Sequence, residues 1–538
     1  MKYFCSCYYG FIFLLLFSLA TLGCWGYNME DFVHCIYLHS NNNDSNSTLI
    51  HTPSSSSYSY VLNFSIRNLR FSEPETPKPV AIITPSHASQ VQAAVICCKS
   101  HGFQIRTRSG GHDFEGSSYV ANVPFVLIDL INLNSITIDT EDESAWVQSG
   151  ATVGELYYRI GEKSRTLGFP AGFVPTIGIG GFLSGGGFGM MVRKYGLAAD
   201  NVVDAYVVDA NGSVFDRYSM GEDLFWAIRG GGGGSFGIVL AWKLKLVPVP
   251  PTVTSFSLSK TWDQNAADLI HRWQYVAPEV DQDLFISAWV TAFNSSDGSG
   301  RIMEASFFSL YLGKATELLS LMEKTFPELG LKKEDCLEMS WVESMAFSAS
   351  GFVSAKSLEL LLNRSPLDNG RQKIKSDYPT EPISETALEG MWERFKNEEL
   401  EKVQFILIPF GGKMNEISES ETPSAHRAGY PIHIGYYVKW QHPDADSRHL
   451  EWTRELYNYM TPFVSKSPRA AYANYRDLDI GTNNEDRILT SYEEASVWGH
   501  QYFGNNFERL MEVKAKVDQF NFFRHEQSIP PAPPRVRI

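Results

Sequence analysis

Apolar positions along the chain follow two rhythms. From Pro79 onward, short runs of strand length at residues 80–84, 105–108, 125–130 and 145–148 alternate with stretches of helical spacing. Residues 89–101 put Val91, Ala94, Val95 and Cys98 on one helical face. Thr152 stands three residues before Glu155, the spacing of a capping box. It predicts a helix that turns Val153, Leu156, Tyr157 and Ile160 inward. Strand and helix in this order predict an α+β or α/β domain. A further strand is expected over 202–209, with a turn at Asn211-Gly212. The rhythm changes at Pro248-Val-Pro-Pro251. Beyond it a helix at 315–324 mixes with strands at 405–409 and 432–440, then a helix at 507–517 and a proline-rich tail. No internal repeat is present.

The N-terminus has a different pattern. Lys2 precedes an apolar run from Phe11 to Leu22, too short for a comfortable membrane span and placed where a secretory signal lies. Residues 1–24 are therefore expected to be a signal peptide. No later stretch is apolar and long enough to cross a bilayer. Residues 25–75 read as a polar approach segment rich in Ser and Asn. Of the seven cysteines, Cys5, Cys7 and Cys24 lie in or beside the signal, which leaves Cys35, Cys97, Cys98 and Cys336. With no paired CxxC motifs, no metal site is expected. An oxidising compartment allows one disulfide that ties down the N-terminal segment, and Cys35 with Cys97 is the expected pair. Sequons at Asn43, Asn46, Asn63, Asn211, Asn294 and Asn363 fit passage through the endoplasmic reticulum. The formal charge of −15 argues against nucleic acid or an anionic membrane as partner.

Two glycine-rich stretches carry candidate chemistry. One runs from Gly178 to Gly189, with Gly178, Gly180, Gly181, Gly185 and Gly186. The other is Arg229 followed by Gly230 to Gly234. Glycine lets backbone approach a ligand and aim N–H groups at phosphate, so two such stretches point to a large phosphate-bearing cofactor. Neither gives the GxGxxG spacing of a dinucleotide fold. Gly233-Gly-Ser235-Phe-Gly237 matches a nucleophile elbow in form only, without triad partners. A third feature, Arg106-Thr-Arg108-Ser109-Gly110-Gly111-His112-Asp-Phe-Glu-Gly116, is a strand running into a glycine turn that presents a histidine.

Arg108-Ser-Gly-Gly-His112 with Pro175-Thr-Ile-Gly-Ile-Gly-Gly181 resembles the berberine bridge enzyme family, within the FAD-binding superfamily typified by vanillyl-alcohol oxidase. Arg193-Lys-Tyr-Gly-Leu-Ala-Ala-Asp-Asn201, Asp223-Leu-Phe-Trp-Ala-Ile-Arg-Gly230 and Gln527-Ser-Ile-Pro-Pro531 extend the likeness over nearly the whole mature chain. The resemblance implies a two-domain α+β fold. An FAD domain would span 76–250 and be completed by a returning segment at 481–538. A substrate domain, an antiparallel sheet backed by helices, would span 251–480. It also implies FAD joined through its 8α carbon to His112, with Arg108, Ser109, Gly110, Gly111, the glycines of the Gly178 stretch and Tyr195 around it. Oxygen would re-oxidise the flavin and release hydrogen peroxide. The implied compartments are vacuole, ER-derived vesicle or apoplast.

Departures from the family pattern narrow this expectation. Val174 occupies the position of a second flavin-linking cysteine, so attachment is expected through His112 only. Phe182 stands for a flavin-contacting histidine, and Phe114 for a tyrosine. Gly435 replaces the glutamate that deprotonates a substrate phenol, and glycine cannot act as a base. Tyr195, Tyr475 and His433 remain as candidate catalytic groups, with Tyr436 and Lys439 as further polar groups on the His433 strand. Amine oxidation needs no strong base, because the nitrogen lone pair drives hydride loss. The expected activity is therefore oxidation of an alkaloid C–N bond to an iminium, as in the tetrahydroprotoberberine oxidase kind of relative. An alcohol or carbohydrate oxidase, and a cyclase that holds FAD without redox turnover, are the alternatives.

Overall fold

The computed structural model describes residues 28–40, 49–295, 300–354, 357–365, 369–396, 400–484 and 490–533. The expected signal at 1–24, with Cys5, Cys7 and Cys24, and the sequons at Asn43 and Asn46 lie outside the described residues. The apolar runs of the N-terminal half become strands because both their faces are covered. β1 (Ile50–His51), β2 (Ala81–Ile83), β3 (Gln104–Arg108) and β4 (Phe125–Asp129) form one sheet, ordered β1-β2-β4-β3. β2 and β3 run parallel to β4. The helix Ala88–His101 lies over it, with Val91, Ala94, Val95 and Cys98 in the shared core. The Cys35–Cys97 disulfide joins this helix to Met29–His39. Closing a loop of 62 residues is worth on the order of 4 kcal/mol in the chain-entropy model.

A second, antiparallel sheet follows. It comprises β5 (Ile136–Asp139), β6 (Ser144–Gln148), β8 (Val202–Val208), β9 (Val214–Phe215) and β10 (Ile238–Lys245), ordered β5-β6-β10-β8-β9. The capping box at Thr152 is present. The Thr152 N–H donates to Glu155 Oε2 at 2.9 Å and the Glu155 N–H to Thr152 Oγ1 at 3.3 Å, opening the helix Val153–Lys163. A small ribbon of β7 (Leu167–Gly168) and β11 (Val247–Pro248) ends this half of the chain.

The third sheet begins at β12 (Val253–Ser255). With β13 (Ser257–Thr261), β14 (Leu284–Asn294), β15 (Arg301–Tyr311), β16 (Leu337–Met339), β17 (Arg371–Asp377), β18 (Lys402–Pro409) and β19 (Ile432–Trp440) it is antiparallel throughout, ordered β16-β12-β15-β14-β18-β19-β17, with β13 also on β15. Side chains alternate across it. Ile432, Ile434, Tyr436, Val438 and Trp440 enter a core shared with the helices Ala266–Val276, Glu385–Phe395 and Asp446–Met460. Tyr436, a further polar group on the His433 strand, thus points away from His433 into this core. Phe285, Ile406, Ile408, Trp289 and Tyr437 face the first half of the chain and share its core. The helices Tyr492–Phe503 and Phe507–Val517 return to that same core, where the buried Lys514 ammonium donates to the Ser235 carbonyl at 2.5 Å. No described helix is long and apolar enough to cross a membrane.

Candidate functional site

β3 runs out into the loop that carries His112. Arg108 at its end is fully buried and committed to the fold: it pairs with Asp129 at 2.6 Å and donates to the carbonyls of Val61 and Leu62 at 2.7 Å. Ser109 Oγ donates to the Ser149 carbonyl at 2.5 Å. Gly110 lies directly on Gly178, where a Cβ on Gly110 would come within 2.3 Å of the Gly178 nitrogen. Absence of side chains is what lets the two loops touch. Gly111 is left-handed, with φ +72°, and packs on the Ser65 carbonyl.

This backbone contact delivers His112 to Thr176. The imidazole Nε2 is 2.9 Å from Thr176 Oγ1. Burial, then the Arg67 cation, pushes the imidazole pKa down to about 3, so the ring is neutral. Thr176 is thus the ring's partner, through its hydroxyl at Nε2 and through its backbone. Arg67 is itself buried; it donates to the carbonyls of Gly110 and Arg364, while its Nη1 has no partner among the described residues.

The other candidate glycines divide by surroundings. Gly180 packs on Ser149, Gly185 on Asn474 and Gly186 on Ser424. Gly181 is different: among the described residues a Cβ there would meet nothing within 4 Å, and one at Gly232 would meet Phe503 at 3.8 Å.

Beside the histidine loop is a cluster of rings. Phe114 meets Tyr475 edge-on at 5.6 Å between centroids. Tyr475 lies 5.2 Å from both His433 and Tyr472, and Phe188 is 4.9 Å from His433 and from Tyr472. Tyr378 and Phe410 complete the wall around His433. A row of contacts continues from Phe188 through Phe173 to Trp289 and Phe308 on the third sheet. His433 is completely buried, and among the described residues both its ring nitrogens lack a partner. Burial, then His426, pushes its pKa down to about 3. Burial, then Tyr472, raises the Tyr475 phenol. The Tyr475 ring rests on Gly435, where a Cβ would lie 3.2 Å from Cε2.

Sequence-predicted residues therefore separate. Tyr475, His433 and Gly435 come together with Phe114. Tyr195 makes no ring contact with them among the described residues; its hydroxyl donates to the Pro248 carbonyl, and burial pushes it up to about 12. The Phe182 ring fills the space over Gly172 and Gly187, and Val174 is 43% exposed. Thr176, Arg67, Phe188 and Tyr472 were not singled out from sequence. Thr176 and Tyr472 do sit inside or beside quoted segments, in Pro175-Thr-Ile and three residues before Tyr475.

Comparison with known proteins gives this geometry a context. Residues 79–217 match the FAD binding domain family, and 471–530 match the berberine and berberine-like family. Tetrahydroberberine oxidase from Berberis wilsoniae is 50% identical over 523 residues, 96% of this chain and 97% of the relative. The solved structure of berberine bridge enzyme-like protein 28 from Arabidopsis thaliana superposes with TM-score 0.86 at 48% identity, covering 94% of this chain and 100% of that one. Phl p 4, a grass pollen allergen with glucose dehydrogenase activity, gives TM-score 0.87 at 45% identity, covering 93% and 99%. The residues present suit FAD. A neutral histidine is held by Thr176, a buried guanidinium has an N–H without a partner among the described residues, and glycines at 181 and 232 border open space that a Cβ would fill.

Proposed function

The chain belongs to the berberine bridge enzyme-like family of FAD-dependent oxidases, and we propose that within it this protein oxidises an alkaloid amine to an iminium. FAD is held by the first half of the chain, and we read His112 as its only covalent anchor, through Nδ1, because Thr176 engages Nε2 and Val174 offers no nucleophile. Bound FAD supplies the hydride acceptor, and oxygen restores it with release of hydrogen peroxide.

One observation carries the amine reading: the ring cluster contains no group disposed to act as a base. Gly435 has no side chain. The His433 imidazole is pushed down to about 3 and the Tyr475 phenol is raised, each chiefly by burial. An alcohol must surrender a proton as hydride leaves, and a phenol must ionise before ring closure. A neutral amine needs neither, since its own lone pair assists. The aromatic walls favour that neutral form, because burial disfavours the ammonium ion. The phenylalanine rings of Phe114, Phe173, Phe188 and Phe410 give these walls apolar faces, which suit a polycyclic amine. The exposed sequon residues Asn63, Asn211, Asn294 and Asn363, with the Cys35–Cys97 disulfide, support a secretory route.

The test is aerobic incubation of the purified holoprotein with benzylisoquinoline and monoterpene indole alkaloids, followed by mass spectrometry for loss of two hydrogens and an assay for peroxide. Turnover with kcat/KM rising through the substrate's amine pKa supports the reading. Peroxide with sugars or monolignols alone would replace it with an alcohol or carbohydrate oxidase. Product formed without oxygen uptake would replace it with a non-oxidative cyclase.

A further inference from the structure

The segments that carry His112 and Tyr475 run side by side and are joined at three successive places. Asp113 Oδ2 lies 3.3 Å from Arg476 Nε. Phe114 and Tyr475 meet ring to ring. Glu115 and Asp477 share the Lys373 ammonium, which pairs with Glu115 and sits 2.7 Å from Asp477 Oδ1. Asp113, Phe114 and Glu115 thus mate with Arg476, Tyr475 and Asp477. The Asp477 end is held further by Lys375, 2.5 Å from its other oxygen. Lys373 and Lys375 are both almost wholly buried, two positions apart on the edge strand β17.

Arg476 reaches beyond the pair. Its Nη1 is 3.3 Å from His525 Nδ1, which also accepts the Gln527 N–H at 3.2 Å. With Nδ1 accepting, Nε2 carries the proton and donates to the Gly233 carbonyl at 3.0 Å. One guanidinium therefore stands where the His112 loop, the Tyr475 segment, the returning C-terminal segment and the second glycine stretch converge. Its planar fork suits several partners at once, as a lysine would not.

We infer that Arg476 and Lys373 are positioning residues, which fix the His112 loop in register with Tyr475 and with the Gly233 turn. Neither is assigned to the chemistry, and each acts through the groups that it aligns. The inference rests on the reading that FAD attaches at His112. Attachment needs the imidazole and the flavin carbon in close alignment, and displacement by about 1 Å is enough to slow such a step strongly.

The experiment uses full-length secreted protein and measures covalent flavin per folded polypeptide, from flavin fluorescence after denaturing electrophoresis. The variants are Arg476→Gln, Arg476→Lys, Asp113→Asn and the Asp113→Asn/Arg476→Gln double. For Arg476→Gln the covalent fraction should fall about tenfold while total FAD per folded chain stays near wild type. Arg476→Lys should recover part of the loss. The double variant should be no worse than Arg476→Gln alone, because both remove one interaction. If Arg476→Gln is not secreted, Asp113→Asn carries the same expectation in a milder form. A wild-type covalent fraction in folded Arg476→Gln and Asp113→Asn, whatever their stability, overturns the inference alone. Absence of covalent flavin from the wild type overturns the His112 reading and this inference together.

Discussion

The histidine loop and the ring cluster adjoin, yet they are built on opposite principles. Around His112 the chain is fixed by backbone contact and hydrogen bonds: Gly110 on Gly178, Ser109 on Ser149, Arg108 on Asp129. Around His433 it is fixed by packed rings, and polar atoms are left without partners. The first arrangement suits a ligand held in one place permanently. The second suits an apolar ligand that comes and goes, gripped by shape and desolvation rather than by named hydrogen bonds. The division of labour implies that substitutions on the two sides should fail in different ways.

The largest effects are expected among the glycines of the fixed side, where the contrast can be broken most directly. Gly110→Ala puts a Cβ within 2.3 Å of the Gly178 backbone, which cannot move aside as a flexible side chain would. We expect a loss of about 3 kcal/mol, read from the denaturant midpoint or as failure of secretion. Gly181→Ala meets nothing within 4 Å and should change stability by about 0.5 kcal/mol or less. Its cost should appear as reduced FAD content. If both variants lose stability alike, the separation of crowded from open glycine is wrong.

These glycines look identical in the sequence, and only the fold distinguishes them. Much else was legible. The strand expected over 432–440 is Ile432–Trp440, and the cap at Thr152 opens its helix as read. These elements declare themselves because their pattern is local. β17 did not, since Arg371-Gln-Lys-Ile-Lys-Ser-Asp377 reads as a polar surface segment. Its lysines are buried because Asp477, 102 and 104 positions away, and Glu115 neutralise them. The contact of His112 with Thr176 was hidden for a similar reason: it depends on two loops crossing at Gly110 and Gly178. Tyr195 was grouped with Tyr475 through family resemblance, whereas its hydroxyl is engaged by Pro248.

A middle-sized effect should come from the ring side through pH. His426 and His433 are buried and neutral, each pushed down to about 3 by burial first. In the unfolded chain both titrate near 6.5. Below that pH the unfolded state takes up protons that the folded state refuses, so stability falls with falling pH and is complete only above about 6.5. The loss is about 2 kcal/mol per histidine at pH 5, and continues toward pH 3. His433→Phe should remove roughly half of the difference between unfolding free energies at pH 7.5 and 5 that these two groups generate. An unchanged pH dependence in that variant would mean that His433 is not held neutral by its aromatic walls.

The smallest expected effect lies at the seam between the two sides, at Gly435. A methyl there would stand 3.2 Å from Tyr475 Cε2, so the ring must yield by a few tenths of an ångström. Replacing a strand glycine by alanine also recovers about 0.5–1 kcal/mol of backbone entropy. The two terms oppose each other, and Gly435→Ala should leave stability nearly unchanged. The displacement is passed instead to Phe114, which meets Tyr475 edge-on, and hence to the loop of His112. Turnover should therefore fall by a few-fold while the unfolding midpoint holds. Tyr475→Phe keeps the ring and should leave the Gly435→Ala effect intact; Tyr475→Ala removes the ring and should abolish it. The reverse pattern would show that the hydroxyl, rather than the seated ring, couples the substrate side to the cofactor side.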